Sequence, residues 1–503
     1  MYRRVRVFKR WMKSQGIDVS DALHLTDTEA EGISVRALCD LNEGDLVATI
    51  PKQSCLTMKT SAARPLIESA GLDGALGLSF AVMYERSLGE QSQWAGYLQL
   101  LPEFECLPLL WSPFEIDTLL SGTELHKIVK EDKGHIKEDW KACIMPLVGS
   151  ADLHLDSRYF GVEQYFAAKS LVASRSFEID DFHGFGMVPF ADLFNHRTGD
   201  EDVHFTCISS HDDNGINDEQ NNDKSVGATD EDLEESSFSG KRGASDGDEK
   251  SSHSGSDLQS SLDMDDDSMV LEMIIIKHVK AGAEVFNTYG LMGNSALLHR
   301  YGFTELENKY DIVNIDLELI LKWCTSRFSS RYARARLLLW RRLGYSGCVS
   351  QNSEYFEISY QGEPQIELLL LLYVMLLPDE AYQVVDISAS VEGNADACKS
   401  TTSEGDSQVL LGITKMSKDL LLTVNVREAL LELADIRDHL YGPNSIEDDV
   451  DRLNRCCGTR ERKMYHSLVL RVSERGILKK LKNYAATCAV HSLKGARKKM
   501  KSH

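Results

Sequence analysis

The spacing of apolar residues near the start of the chain is typical of strands. Ile33, Val35 and Ala37 alternate with polar residues, and a second apolar run, 46–51, follows a polar turn. A period of two on either side of a turn predicts a pair of strands that face each other across residues 32–51. Strand patterns return later in the chain, at 187–190, 203–207 and 269–276.

The pattern becomes helical between residues 61 and 177, inside this strand-rich region. Helices are expected over 76–88, 113–120, 125–140 and 162–174. After residue 310 the pattern is again mainly helical, and helices are expected over 327–343, 366–377, 416–441 and 459–484. The apolar run 368–377 is too short to cross a bilayer, so it predicts a buried helix.

One segment between the strands at 203–207 and 269–276 has no apolar pattern. From His211 to Ser268 it contains 18 Asp and Glu against 4 Lys and Arg, a net charge of −14 out of −23 for the whole chain. Such a composition cannot bury enough apolar surface to offset the entropy of ordering, so a disordered loop is predicted over about 209–268. The flanking strands then become two arms of one hairpin, and the segment is an insertion rather than an interdomain linker.

These patterns predict an α+β protein of two domains for a chain of 503 residues. The first domain, 1–310, holds the strands, a helical insertion at about 58–170 and the acidic loop. The second domain, 311–503, is mostly helical and has a polar loop at about 392–408.

Composition excludes several classes of protein. The chain has no run of about twenty apolar residues, so we expect no membrane-spanning helix. Its 11 cysteines form no Cys-x-x-Cys pair, which predicts reduced thiols and no zinc site. The basic start carries Phe8, Trp11 and Met12 at helical spacing without an apolar signal core, so we predict a first helix and a cytoplasmic or nuclear protein. The basic run 494–501 fits either a nuclear import signal or a helix end.

Two short motifs contain residues that can carry chemistry. Tyr289-Gly290 follows an apolar strand, where glycine permits a sharp turn and the phenol can form hydrogen bonds in a polar pocket. Asn195-His196 lies upstream, and His196 has no second ligand at metal-binding spacing. Taken singly, both motifs are more simply explained as structural.

Taken together and in order, the motifs resemble a known family. Asn195-His196, Tyr289-Gly290 and Tyr301-Gly302-Phe303 are similar to the core of SET-domain methyltransferases, and Glu31-Gly32-Ile33 is a variant of that family's usual Gly-x-Gly. Two segments near Trp94 and Trp111 resemble the branch of Rubisco large-subunit and ribosomal-protein lysine methyltransferases. The segments are Tyr97–Pro102 and Leu119–Thr123. The resemblance implies a SET-domain β-fold with a large helical insertion, followed by a helical substrate-binding domain.

The same resemblance implies a protein-lysine N-methyltransferase that uses S-adenosylmethionine. Its acceptor would be a non-histone protein, such as a ribosomal protein, because no Cys-rich zinc segment follows Phe303. Tyr289 would be the catalytic phenol, while Phe177 and Tyr301 would line the lysine channel. Arg175 would lie near the cofactor's carboxylate. The full set of expected cofactor contacts is Glu31, Ile33, Arg175, Asn195, His196, Tyr289 and Phe303.

These residue types suit methyl transfer to lysine. The acceptor amine must be neutral, although its ordinary pKa is about 10.4. An apolar channel lowers that pKa by desolvation, aromatic faces attract the ammonium form, and a tyrosine hydroxyl can orient the amine. Such a reaction needs no metal and no covalent intermediate.

Alternatives remain open at this point. One is a catalytically weak or inactive SET-fold module that binds partners through its helical domain. The acidic segment is either a solvated loop without a partner or a device that steers basic substrates such as ribosomal proteins. We expect a monomer that binds a protein substrate and neither nucleic acid nor membranes. The acceptor protein and the number of methyl groups transferred are not predicted.

Overall fold

The computed structural model describes residues 2–28, 32–150, 155–207, 269–343, 355–392, 417–458 and 460–499. The chain divides into two compact units. The first comprises 1–110, 131–292 and 300–302, and the second comprises 111–130, 293–299 and 303–503. The domain boundary inferred from the sequence, near residue 310, stays a prediction. The loop predicted over about 209–268 lies outside the described residues, and so does the loop predicted over about 392–408 except for Glu392, which ends a helix.

Short strands form the framework of the first unit. They are β1 (Asp18–Val19), β2 (Leu23–Thr28), β3 (Gly32–Ala37), β4 (Leu46–Pro51), β5 (Leu56–Thr57), β6 (Ser176–Asp180), β7 (Gly184–Met187), β8 (Asn195–His196), β9 (Val203–Cys207), β10 (Val270–Ile275) and β11 (Phe286–Asn287). Their orders in the sheets are β1-β4-β10-β9, β2-β3, β5-β7-β6 and β8-β11.

The predicted pairing of strands across residues 32–51 is wrong. β3 pairs with β2, from Leu23↔Ala37 to Thr28↔Gly32, and β4 lies between β1 and β10. Leu23 and Leu25 alternate with polar residues, so β2 offers β3 an equally apolar face across a shorter connection. β4 is central in its sheet, which explains why Val47, Ala48 and Ile50 are all buried.

The hairpin predicted on either side of the acidic segment is confirmed. β9 and β10 pair antiparallel from Cys207↔Leu271 to Val203↔Ile275. The segment therefore begins and ends on neighbouring strands of one sheet, as expected for an insertion within a hairpin.

One helix, α1, precedes the strands, and helices α2 to α8 form the predicted insertion between β5 and β6. They are α1 (Tyr2–Ser14), α2 (Arg64–Ala70), α3 (Gly74–Leu88), α4 (Ala95–Leu98), α5 (Pro113–Leu119), α6 (Leu125–Asp139), α7 (Met145–Val148) and α8 (Val162–Arg175). Local signals set several starts, because Asp73 caps α3 and a Ser112–Glu115 capping box opens α5. α8 buries Tyr165 and Leu171 in the core, and its end delivers Arg175 directly into β6.

The rest of the chain is mostly helical, as predicted. Its elements are α9 (Asn294–Tyr301), β12 (Val313–Asp316), α10 (Leu317–Arg327), α11 (Ser330–Arg342), β13 (Tyr355–Ile358), α12 (Ile366–Met375), α13 (Asp379–Glu392), α14 (Lys418–Leu421), α15 (Val424–His439), α16 (Ile446–Arg455) and α17 (Arg462–Lys499). The single helix predicted over 416–441 is two helices, because the Thr423 side chain accepts from the Val426 amide and starts α15.

The apolar run within 368–377 forms a buried helix, as predicted. In α12, Leu368–Leu372, Val374 and Met375 are buried in the core of the second unit. Among the described residues, no single helix is long and apolar enough to cross a membrane. One pair, Ile366–Met375 with Asp379–Ile387, meets the length and composition criteria together but is bent by 115°.

Candidate active site

A short parallel strand pair joins the two motifs that the sequence analysis singled out. β8 and β11 pair at Asn195↔Phe286 and His196↔Asn287. The Tyr289 amide then donates to Nδ1 of His196 at 2.9 Å, across 93 residues of sequence. Because an amide can only donate, Nδ1 of His196 must be the acceptor, and Nε2 carries the proton and donates to Thr198 Oγ1 at 2.6 Å. His196 therefore positions the backbone of Tyr289.

The Tyr289 side chain is held from several directions. Its hydroxyl donates to the carbonyl oxygen of Phe194 at 2.8 Å. Its ring lies 4.9 Å from the His196 ring and 4.5 Å from the Tyr301 ring, measured between centroids. Burial raises the pKa of Tyr289, so the phenol stays protonated near neutral pH. Tyr289 is thus a neutral hydrogen-bonding group rather than a phenolate base.

A cavity of about 150 Å³ lies against Tyr289 within the first unit. Four of its walls are aromatic, and three of the residues predicted for the site meet there. The aromatic walls are Phe177, Phe185, Tyr289 and Tyr301. Pockets for whole small molecules typically measure about 300–1,000 Å³, so this cavity is sized for a single side chain.

Polar groups complete the lining of the cavity. They are Lys169, Ser174, Ser176, Glu178, Asp192, Thr288 and Arg300. Desolvation lowers the pKa of Lys169, an effect that Asp139 and Asp132 oppose. The environment beside Tyr289 therefore penalises an ammonium group, as a lysine-accepting channel requires.

Arg175 lies beside the site in a compact ionic cluster. Its Nε donates to Glu105 Oε1 at 2.7 Å, and its Nη1 donates to the Asp192 carbonyl at 2.9 Å. The same Nη1 lies 3.3 Å from Asp192 Oδ2, which also accepts from the Tyr97 hydroxyl at 2.7 Å. The guanidinium thus bonds to two carboxylates of its own chain. A contact with the cofactor's carboxylate remains a prediction.

Asp192 is a residue whose importance the sequence analysis missed. Its side chain is inaccessible to solvent, and its Oδ1 has no hydrogen-bond partner among the described residues. Burial raises the pKa of Asp192, although Arg175 and Tyr97 oppose this shift. A signal was present, because Asp192 is the one acid in the apolar run Val188–Phe194. A lone acid in a buried run needs partners.

The remaining predicted residues are placed as follows. Asn195 donates through Nδ2 to Glu284 Oε1 at 2.6 Å. Ile33 lies on β3 and packs against the core, next to Gly32 with φ 74°. Phe303 belongs to the second unit, and Glu31 lies outside the described residues. The cofactor contacts expected of these four residues stay predictions.

Sequence comparisons identify relatives among lysine methyltransferases. No family model matches the chain. Ribosomal lysine N-methyltransferase 3 of Saccharomyces cerevisiae is 28% identical over 343 residues, which cover 58% of this chain and 60% of the relative. The N-lysine methyltransferase setd6 of Danio rerio is 27% identical over 319 residues, 59% of this chain and 56% of the relative. The chain thus spans less than two thirds of the length of either relative.

Structural comparisons cover nearly the whole chain. Rubisco LSMT bound to AdoMet aligns with a TM-score of 0.62 at 18% identity, covering 97% of this chain and 92% of that structure. The SET domain of LSMT bound to lysine and AdoHcy aligns with a TM-score of 0.63 at the same identity and coverage. This chain therefore has the SET-domain fold, and its sequence is similar to those of the ribosomal-protein and SETD6 lysine methyltransferases.

Proposed function

We propose that this chain is an S-adenosylmethionine-dependent protein-lysine N-methyltransferase. The observation that supports the proposal most is the cavity in which Tyr289, Tyr301 and Phe177 meet. Its aromatic faces attract a cation that cannot lose its charge by giving up a proton, such as the sulfonium of the cofactor, while desolvation there favours the neutral form of an incoming lysine. Asp192 also lines the cavity, and its Oδ1 is buried without a hydrogen-bond partner among the described residues.

The protein's own residues perform three tasks in this proposal. The aromatic walls exclude water, which lowers the pKa of the incoming lysine and favours its neutral, nucleophilic form. The Tyr289 hydroxyl donates to the Phe194 carbonyl, so its oxygen lone pairs are left to accept from the amine and orient it. His196 fixes the backbone on which Tyr289 is carried.

S-adenosylmethionine, when bound, supplies the methyl group from its sulfonium. The described residues that the family resemblance assigns to holding it are Ile33, Arg175, Asn195, His196, Tyr289 and Phe303. Calorimetric titration of the full chain with the cofactor tests this assignment. Saturable heat that Asn195→Ala removes supports it, whereas unchanged affinity in that variant contradicts the assigned role.

We further propose a non-histone protein as acceptor, with ribosomal proteins as the first class to examine. Similarity to a relative named for ribosomal lysine methylation supports this choice. Methylating a proteome extract with isotopically labelled cofactor, followed by mass spectrometry, would identify the modified protein. Label confined to histones would contradict the proposal.

A second candidate function is a SET-fold module that binds partners without transferring methyl groups. The hydrogen bonds of Arg175, Asn195 and His196 favour it, because all three side chains already bond to groups of this chain. The two candidates differ in one measurement. No heat on titration with S-adenosylmethionine would favour the binding module and exclude the enzyme.

We also propose that the chain acts as a monomer in the cytoplasm or nucleus, without direct contact with nucleic acid or membranes. Light scattering and imaging of a fluorescent fusion test these points. A concentration-independent dimer, or a fusion confined to another compartment, would contradict them.

A further inference from the structure

The N-terminal helix presents a strongly basic face to solvent. α1 contains Arg3, Arg4, Arg6, Lys9, Arg10 and Lys13, and it contains no acidic residue. Val5, Phe8 and Met12 pack on the opposite side into the core of the first unit. Helical spacing therefore places these cations, apart from Arg4, together on one face.

These cations border a groove distinct from the cavity beside Tyr289. The groove measures about 890 Å³ and shares no lining residue with that cavity. Five basic residues of α1 line it, against two acids, Asp18 and Asp21. The sixth basic residue, Arg4, does not line the groove and is paired with Asp27. A groove with this excess of positive charge fits a ligand with several negative charges.

The floor of the groove narrows the class of ligand. It is mainly aliphatic, and its lining residues include Met12, Ile17, Val19, Leu23 and Leu25 with the rings of His24 and Phe190, while Leu38 is exposed at the edge. Single-stranded nucleic acids are bound on platforms of several aromatic rings that stack with bases, whereas the lining of this groove offers only the buried ring of Phe190 and the half-buried imidazole of His24. An aliphatic floor with basic walls suits an acidic peptide that also carries apolar side chains.

The chain itself contains a segment of this chemistry. Residues 211–268 carry a net charge of −14, and the stretch Asp257–Asp267 combines five Asp with Leu258, Leu262 and Met264. Carboxylates of this stretch can pair with the guanidinium and ammonium groups of α1, while its three apolar side chains match the floor.

The sheet brings the ends of this segment close to the groove. β1 forms part of the groove wall, and Asp18 of β1 and Glu272 of β10 flank Thr49 on opposite sides. At about 4.8 Å per strand spacing, Asp18 and Glu272 lie about 10 Å apart. The segment 208–268 ends only four residues before Glu272 of β10. Its 61 residues far exceed the handful of extended residues needed to span that distance.

We propose that the basic groove on α1 binds the acidic segment 208–268 of the same chain. This inference does not depend on the proposed enzymatic function, because it concerns only binding within the chain. The contact is electrostatic and lies at the surface, so salt weakens it. Because the groove and the segment belong to one chain, their effective concentration is high, and this favours the contact.

Zero-length carbodiimide cross-linking of the dilute full-length chain tests the proposal. Cross-links joining Lys9 or Lys13 to carboxylates of 211–268 are expected, and high salt should reduce their yield. Lys280 is the matched control, since it is exposed and closer in sequence to the segment but does not line the groove. Equal or greater cross-linking at Lys280, or none at Lys9 and Lys13, would overturn the proposal.

A triple variant, Arg3→Gln with Arg6→Gln and Arg10→Gln, removes three positive charges from the groove. It keeps Lys9 and Lys13, the two lysines at which cross-linking is measured. Each exposed ion pair is worth up to about a factor of two, so removing three should lower cross-linking at Lys9 and Lys13 by up to about eightfold. An unchanged yield contradicts the proposal.

Two other results would assign the groove to a different occupant. A cross-linking yield per chain that rises with protein concentration would indicate a second copy of the chain. Loss of cross-links on adding an RNA oligonucleotide, but not on adding an acidic peptide, would indicate nucleic acid. The effect of salt on the cross-link yield of the unaltered chain tests the proposal even if the variant does not fold.

Discussion

Acid should destabilise the second unit through one histidine, His466. Its Nδ1 accepts a hydrogen bond from the Thr304 amide at 3.1 Å and lies 2.9 Å from the Thr304 hydroxyl. Burial, assisted by Arg462, lowers the pKa of His466 to about 4. The folded protein therefore holds His466 neutral over a pH range in which the unfolded chain protonates it.

The size and sign of the effect follow from proton linkage. The ordinary pKa of histidine is about 6.5, so the unfolded state binds more protons than the folded state between about pH 6.5 and pH 4. Stability is lost as the pH falls through this window and is unaffected by this group above it. Between about pH 7 and pH 4.5 the free energy of unfolding should fall by about 2 kcal/mol through His466 alone.

The variant His466→Asn isolates this contribution, because an amide oxygen can accept from the Thr304 amide and does not titrate. Urea unfolding of both proteins at the two pH values measures the difference. We expect the natural chain to lose about 2 kcal/mol more than the variant on acidification. His439→Asn, at an exposed histidine of the same unit, is the matched control. Parallel losses in the natural chain and the His466 variant would refute the reasoning.

Three further substitutions have defined outcomes. Gly302→Ala should lower the free energy of unfolding by about 1–3 kcal/mol, because φ is 75° and the added Cβ would lie 3.0 Å from the Cys106 carbonyl; an unchanged urea midpoint would contradict this. Arg175→Met should cost about 3–5 kcal/mol by leaving the buried Asp192 carboxylate uncompensated, again measured in urea. Burial and the neighbouring Glu124 raise the pKa of Glu474, so its charged form weakens the fold as pH rises. Glu474→Gln should therefore gain stability over the natural chain as the pH rises from about 4.5 to about 8, and equal pH profiles would disprove this account.

Local patterns predicted the elements whose own residues determine them. The expected helix over 113–120 is observed as Pro113–Leu119, because Ser112 and Glu115 form a capping box within one turn. The two hairpin arms around the acidic segment were also predicted, because their apolar composition contrasts sharply with that of the insertion. By contrast, β3 could pair with either of two apolar strands, β2 or β4, and alternation alone cannot decide between them.

In the site, too, some features were predicted from the sequence and others depend on tertiary packing. The order of Asn195-His196, Tyr289-Gly290 and Tyr301 predicted which residues meet, and three of the predicted residues do line one cavity. The bonds from Arg175 to Glu105 and Asp192 could not be predicted, because they span 70 and 17 residues and arise only when α8 packs beside the site. Phe190, buried with φ 79°, is likewise a product of tertiary packing that overrides local preference.

In the proposed enzyme, Tyr289 orients the acceptor lysine through its hydroxyl. Tyr289→Phe keeps the ring between His196 and Tyr301 and removes only the oxygen that bonds to Phe194. Transfer of a labelled methyl group from S-adenosylmethionine to protein lysines in an extract should fall by about a hundredfold or more, the usual cost of removing one catalytic hydrogen-bonding group. Cofactor affinity, measured by calorimetry on the same samples, should stay nearly unchanged. Transfer at the natural rate by the phenylalanine variant would contradict the account.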